Sequence, residues 1–245
     1  LGIGAHDFHR HGKVNFAGGN RSPTKPERFI SELRSQKNQK AFAFQLQNHG
    51  IIIDRSVLFM DKMEILKYLK ELNERLKERD IKGQIGLFGG TVMCLAFNAR
   101  SATKDIDAIF EPKQVIYDIA KEIAEEYHLP QDWLNDSVKG FVTPNREMMV
   151  FQNLSNLTVY VPSAEYMLAM KCMSARLAGT KDKDDINFLI NHLKLDKVDD
   201  ILNIIQKYFP PSMIQPKTEY FLMELLEKRK VKHRHDRGRS REMDI

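Results

Sequence analysis

The chain is poor in the residues that carry several common chemistries. Only two cysteines occur in 245 residues. Cys94 and Cys172 stand in apolar, helix-like contexts and match no metal or redox spacing, so reduced thiols buried in a cytoplasmic protein are expected. Thirteen glycines and nine prolines are too few for a low-complexity chain. No apolar run approaches the ~20 residues that a bilayer span requires, so no membrane partner is expected. The first residues lack the charged start and continuous apolar segment of a signal peptide. A Gly-x4-Gly-Lys-Ser/Thr loop is missing, and Gly83, Gly86 and Gly89 do not form the dinucleotide-binding pattern.

Charge is present but unevenly spread. The net charge is +5, yet residues 1–40 and 228–245 each hold eight Lys/Arg against three Asp/Glu, which leaves the body mildly acidic. Basic ends can dock on RNA or DNA, or simply be solvated. His6, His9 and His11 sit in Gly-rich sequence without a further ligand group, and no metal site is read from them.

Apolar periodicity divides the chain. Residues 1–55 read as a poorly patterned basic extension, with a short helix near Pro26–Lys40. Met63, Ile65, Leu66, Leu69, Leu72 and Leu76 predict a helix over Asp61–Arg79, with Asp61 as its N-cap. A strand over Ile85–Phe88, a Gly89-Gly90-Thr91 turn, a short helix to Phe97 and a strand over Asp105–Phe110 follow. A helix over Val115–Tyr127 and two strands, Met148–Phe151 and Leu157–Val161, complete a core over residues 56–161. A helical domain spans residues 162–227, and a charged tail over 228–245 is expected to be disordered. The fold class is α+β: a small mixed sheet flanked by helices, followed by a helical domain.

The chemistry concentrates between Gly86 and Asp107. A Gly-Gly turn that opens a helix exposes backbone N–H groups to an anion such as phosphate. Strand side chains alternate, so Asp105 and Asp107 point the same way, roughly 6–7 Å apart, a spacing suited to a divalent cation. Arg100 and Thr103 precede the carboxylates and are within reach of phosphate oxygens. Lys171 lies mid-helix on an otherwise apolar face, where it either snorkels or points into the site. Arg176, Lys183, Asp184 and Asp185 form a charged cluster that serves either the site or helix pairing. Trp133 reads as a core anchor, and Asn135 and Asp136 as caps or cleft residues.

Taken in order, the strand, Gly89-Gly90-Thr91, Arg100-x-x-Thr103, and Asp105-Ile106-Asp107 resemble the polymerase-β-type nucleotidyltransferases. The later motifs Leu129-Pro-x-x-Trp133-Leu-Asn135-Asp136, Pro162-Ser163-x-x-x-Met167-Leu-Ala169-Met170-Lys171, Ala175-Arg176, Lys183-Asp184-Asp185-Ile186, Tyr208-Phe209-Pro210 and Pro216-Lys217-Thr218 sharpen this. The whole set, over about residues 60–227, is similar to an uncharacterised bacterial nucleotidyltransferase family (DUF6036-like) related to the AbiEii-type toxins of abortive-infection and toxin–antitoxin systems.

The resemblance implies a nucleotidyltransferase core and NMP transfer from an NTP to a hydroxyl acceptor, which would be RNA (a tRNA end), a protein or a small molecule. It implies that Gly89, Gly90 and Thr91 hold the triphosphate, that Asp105 and Asp107 bind Mg²⁺ (one ion or two), and that a cognate antitoxin is a partner. A third carboxylate from a later strand is also implied. The expected strand, Leu157–Val161, has none, and Asp136 and Glu147 are the nearest substitutes. The alternative is a degenerate fold that binds a nucleotide or a partner without turnover.

Overall fold

The structure, a computed structural model, describes residues 59–174 and 180–242. The N-terminal extension over 1–55 and Arg176 therefore lie outside the described residues. Two residues of strand β1 (Met60–Asp61) lead into helix α1 (Lys62–Glu78). Asp61 starts α1 with a reciprocal cap: its Oδ1 accepts the Glu64 N–H at 3.0 Å, and Glu64 Oε2 accepts the Asp61 N–H at 3.0 Å. One apolar stripe of α1 (Ile65, Tyr68, Leu69, Leu72, Leu76) is buried, as the 3.6-residue period requires.

Strand β2 (Gly83–Leu87) runs into helix α2 (Gly89–Leu95), and β3 (Ala102–Thr103) pairs with β1. Strand β4 (Ile106–Glu111), helix α3 (Lys113–Tyr127), the short strand β5 (Leu134–Asn135) and a 3₁₀ turn (Ser137–Phe141) follow. Strands β6 (Met148–Asn153) and β7 (Leu157–Pro162) close the sheet, whose order is β5-β4-β2-β7-β6. It is mixed: β2 is antiparallel to β4 and parallel to β7, while β5 is parallel to β4. This is the α+β architecture that the periodicity predicts, with β1, β3 and β5 added.

Helices α1 and α3 cover one face of the sheet. A Cβ at Gly83 would lie 2.8 Å from Leu76 Cδ1 and 3.4 Å from Ile116 Cδ1, so both helices press on the start of β2. Arg75 and Arg79 of α1 reach Glu122 of α3, which ties the pair together at its solvent side. Asn73, buried in α1, accepts the Asn156 N–H at 2.8 Å, and the Asn156 amide donates to the Ile81 carbonyl at 2.9 Å. That relay anchors the β6–β7 turn to the end of α1.

Among the described residues, the opposite face of the sheet is the more exposed along β4. Along β4 burial alternates, with Ile106, Ala108 and Phe110 inward and Asp107, Ile109 and Glu111 outward. Register places Gly86 beside Ile109 on one side and Tyr160 on the other, so these share the outward face with Asp107.

The helical part follows as α4 (Ala164–Ser174), α5 (Thr180–His192), α6 (Val198–Tyr208) and α7 (Pro216–Glu242). Helix α4 is buried from Tyr166 through Cys172, because α5, α6 and the 3₁₀ turn all pack on it. Helix α7 runs to Glu242, across the stretch expected to be disordered. Lys, Arg and Glu are good helix formers, so a helix can extend there without an apolar stripe to bury.

Candidate active site

The glycine turn and the carboxylates are in direct contact. Gly89 opens α2 at φ +60°, a left-handed conformation that disfavours a side chain. A Cβ there would also stand 2.4 Å from Asp107 Oδ2. At Gly90 a Cβ would stand 2.5 Å from Thr103 Oγ1 and 3.2 Å from Arg100 Nη1. Both glycines are therefore needed for close approach, and the turn lies against the Asp107 carboxylate and the Arg100 guanidinium.

Two hydroxyls set the bend that precedes β4. Thr91 Oγ1 donates to the Asp105 carbonyl at 3.0 Å and Thr103 Oγ1 to the same oxygen at 3.2 Å. Both threonines are buried. Their hydroxyls hold the backbone from which the Asp105 side chain projects, and the Phe88 N–H donates to the Asp107 carbonyl at 2.8 Å to carry the β2–β4 ladder to the turn.

Asp105 and Asp107 are both half-buried. Burial pushes the Asp105 carboxyl above its ordinary range, and the charges of Asp107 and then Asp132 push it further, against a smaller pull from Lys104. Asp107 Oδ1 accepts the Ser137 hydroxyl at 3.1 Å. Among the described residues no salt bridge is formed with either carboxylate, so the pair offers hard, negatively charged oxygen donors, a donor set that fits Mg²⁺.

The strand beside Asp107 is β5, and its register partner there is Asn135. Strand β7, where a third acid was expected, pairs with β2 and is one strand removed. The proposed substitutes are engaged elsewhere. Asp136 takes Lys113 Nζ and Tyr117 Oη, each at 2.7 Å, and Lys139 Nζ at 3.3 Å. The Lys113 ammonium and the Tyr117 hydroxyl hold its carboxyl well below the usual range. Glu147 pairs with Lys207 at 2.6 Å and takes the Ser163 hydroxyl at 3.1 Å. Among the described residues no three His, Cys, Asp or Glu side chains are grouped to hold a metal.

A buried charge network flanks the turn. Arg100 gives Asp185 a two-pronged hydrogen bond and donates to the Lys181 carbonyl at 3.2 Å. Lys171 Nζ lies 2.7 Å from Asp185 Oδ2 and 3.1 Å from Asp182 Oδ1. Lys171 therefore neither snorkels nor stands free: acids on α5 hold it. The network joins the loop after α2 to α4 and α5. Glu224 on α7 is held below its ordinary range chiefly by Lys228, with a smaller pull from the Lys183 charge.

Trp133 is a core anchor. It is buried, donates Nε1–H to the Ala120 carbonyl at 2.9 Å, and stands edge-on to Tyr68. An open cavity of about 560 Å³ lies on the outward sheet face, lined by Gln84, Gly86, Ile109, Glu111, Arg146 and Tyr160 among others. Ile109 follows Asp107 by one outward position on β4, so the cavity lies on the face that Asp107 shares, and its lining is drawn from the part of β4 beyond that residue. Sequence reading missed Ser137 and Asp132. The only signal was the polar residues on either side of Trp133-Leu134, and a two-residue strand is too short for an alternation pattern to register.

No curated protein and no solved structure matches the chain. Residues 64–224 match the family described as nucleotidyltransferase of unknown function, DUF6036. That span covers well over half of the chain and holds the glycine turn, both carboxylates, Ser137 and the charge network. The chain belongs to the DUF6036 family of nucleotidyltransferases of unknown function.

Proposed function

We propose that the chain transfers an NMP group from an NTP to a hydroxyl acceptor with Mg²⁺ as cofactor. The observation that carries this reading is the packing of Gly89 against Asp107, with a Cβ position 2.4 Å from Oδ2. A turn bare enough for phosphate is thereby set directly beside a pair of unneutralised carboxylates. In the transfer, the acceptor oxygen bonds to the α-phosphorus while the bond to the bridging oxygen breaks. Pyrophosphate leaves with that electron pair, and the hydroxyl proton passes to solvent.

Asp105 and Asp107 would hold Mg²⁺, which supplies charge stabilisation to the phosphoryl oxygens. Gly89, Gly90 and Thr91 would line the triphosphate, and Arg100, held beside Gly90, would face its oxygens. Asp185, itself paired with Lys171, sets the position of Arg100, and the cavity on the outward sheet face would receive the acceptor. The order of motifs supports kinship with the AbiEii-type toxins, and with it a tRNA or other RNA acceptor and a cognate antitoxin. Asn135 beside Asp107, where a third acid would stand, favours a second reading in which the site binds NTP without turnover.

Each labelled NTP should be incubated with Mg²⁺ and RNA, protein and small-molecule acceptors, comparing wild type with Asp105→Ala/Asp107→Ala. Transfer by wild type alone supports the reading, and transfer that survives in the double variant removes it. NTP binding by calorimetry without transfer to any acceptor would select the second reading. Growth arrest on expression, lifted by the same double variant, tests the toxin assignment.

A further inference from the structure

β5 sets Asn135 opposite Asp107, and paired residues of neighbouring strands project to the same face. Ser137 Oγ touches both side chains. Asn135 is itself held, with Oδ1 accepting the Ser137 N–H at 3.0 Å and Nδ2 pointing to the Asp132 carbonyl. The Asp107 carboxylate is therefore fixed on two sides: Oδ1 by the Ser137 hydroxyl, and Oδ2 against the bare Gly89.

We propose that Asn135 and Ser137 are positioning residues that form a neutral clamp on Asp107, so that the chain's own side chains provide for one divalent cation rather than two. The inference rests on the reading of Asp105 and Asp107 as the cation site. Its basis is charge. Two carboxylates match the charge of one divalent ion, whereas an amide and a hydroxyl add donors without adding charge. Asp136, the residue after Asn135, is already taken by Lys113, Tyr117 and Lys139, and among the described residues no third acid, Asp132 included, is grouped with the pair to hold a metal.

The test is titration of the full chain with Mn²⁺, without nucleotide or acceptor, followed by calorimetry and by the paramagnetic resonance signal of free Mn²⁺. Wild type should bind one equivalent. Ser137→Ala should weaken that binding about tenfold, the usual loss when the partner orienting a ligating group is removed, and Ser137→Thr, which keeps the hydroxyl, should restore it. Asn135→Asp should tighten the first equivalent or add a second. Ser137 is exposed, so thermal melting should show the folded core intact in its variants. Two equivalents in wild type, or wild-type affinity in Ser137→Ala, would overturn the clamp while leaving the site in place. Undiminished Mn²⁺ binding in Asp107→Ala, or none in wild type, would instead overturn the site reading on which the clamp stands.

Discussion

Asp185 grips Arg100 with both carboxylate oxygens, Oδ1 to Nε and Oδ2 to Nη2, each at 2.6 Å, across 85 residues of chain. The same carboxylate lies 2.7 Å from Lys171 Nζ. One acid on α5 therefore sets the position of two cations, one from the loop that leads to β4 and one from α4. Paired geometry of this kind fixes a guanidinium in direction as well as in place. Of the charged groups beside the glycine turn, Arg100 is aimed by a residue that itself never reaches the turn.

Asp185→Asn keeps the shape of the side chain and removes the charge. Among the described residues, Asp182 is then the one acid left to Lys171, and Arg100 keeps the Lys181 carbonyl and a neutral amide oxygen. Removing one member of a buried ion pair is costly because the other is left uncompensated. With Arg100 still 20% exposed, the loss should fall near the low end, about 3 kcal/mol. Chemical denaturation checks it, and an unchanged midpoint would mean that the network does not contribute to stability.

Gly89→Ala meets two obstacles at once. A side chain at φ +60° costs about 1–2 kcal/mol, and its Cβ would displace the Asp107 carboxylate. Lower stability together with weaker Mn²⁺ binding is expected. Gly90→Ala lacks the backbone penalty and instead pushes Thr103 Oγ1, 2.5 Å away, off the Asp105 carbonyl. Melting curves and Mn²⁺ titration of the two variants should therefore separate, with the larger loss of stability in Gly89→Ala.

Asp105 carries a cost to the fold. Its carboxyl is held above its unfolded value by burial, by Asp107 and by Asp132, so the ionised form strains the native state at neutral pH. Asp105→Asn should therefore raise the melting temperature at pH 7. A raised acid is relieved as pH falls through its folded value, and the two states protonate equally below the unfolded value near 3.9. The gain should thus shrink on acidification and vanish below about pH 4. Mg²⁺ should stabilise wild type and have little effect on the variant. An equal melting temperature for the two proteins at pH 7 would rule out this strain.

The parts that were legible in the sequence are those fixed by local spacing. The apolar stripe of α1 and its Asp61–Glu64 cap lie within a few residues of each other, as do the glycine turn and Asp105-Ile106-Asp107. The rest depends on which strands and helices meet. Strand β7 pairs with β2, so an acid on Leu157–Val161 would stand one strand away from that of Asp107. The strand that is adjacent contributes two residues, too few for a pattern. Asp185 stands in a charged cluster that on sequence alone serves either the site or helix pairing, and its partner Arg100 lies in another element. Long-range pairing of charges leaves no periodic trace.

Asp136 separates the structural acids from the functional ones. It follows Asn135, yet its carboxylate is turned to α3, where Lys113 and Tyr117 each reach it at 2.7 Å. Asp136→Asn should therefore leave Mn²⁺ affinity at the wild-type value while it loosens the joint between β5 and α3. Because its folded carboxyl is held low, chiefly by the Lys113 ammonium, its contribution to stability is present above the unfolded value and lost as pH falls through that value toward the folded one. The variant should melt below wild type at pH 7, and the gap should begin to narrow only below about pH 4, closing as pH falls toward the folded value. The gap should be small, since Lys113 is half exposed and solvent screens the pair. A fall in Mn²⁺ affinity in Asp136→Asn would place this carboxylate at the cation after all, and would return the third acid to the residue next to Asn135.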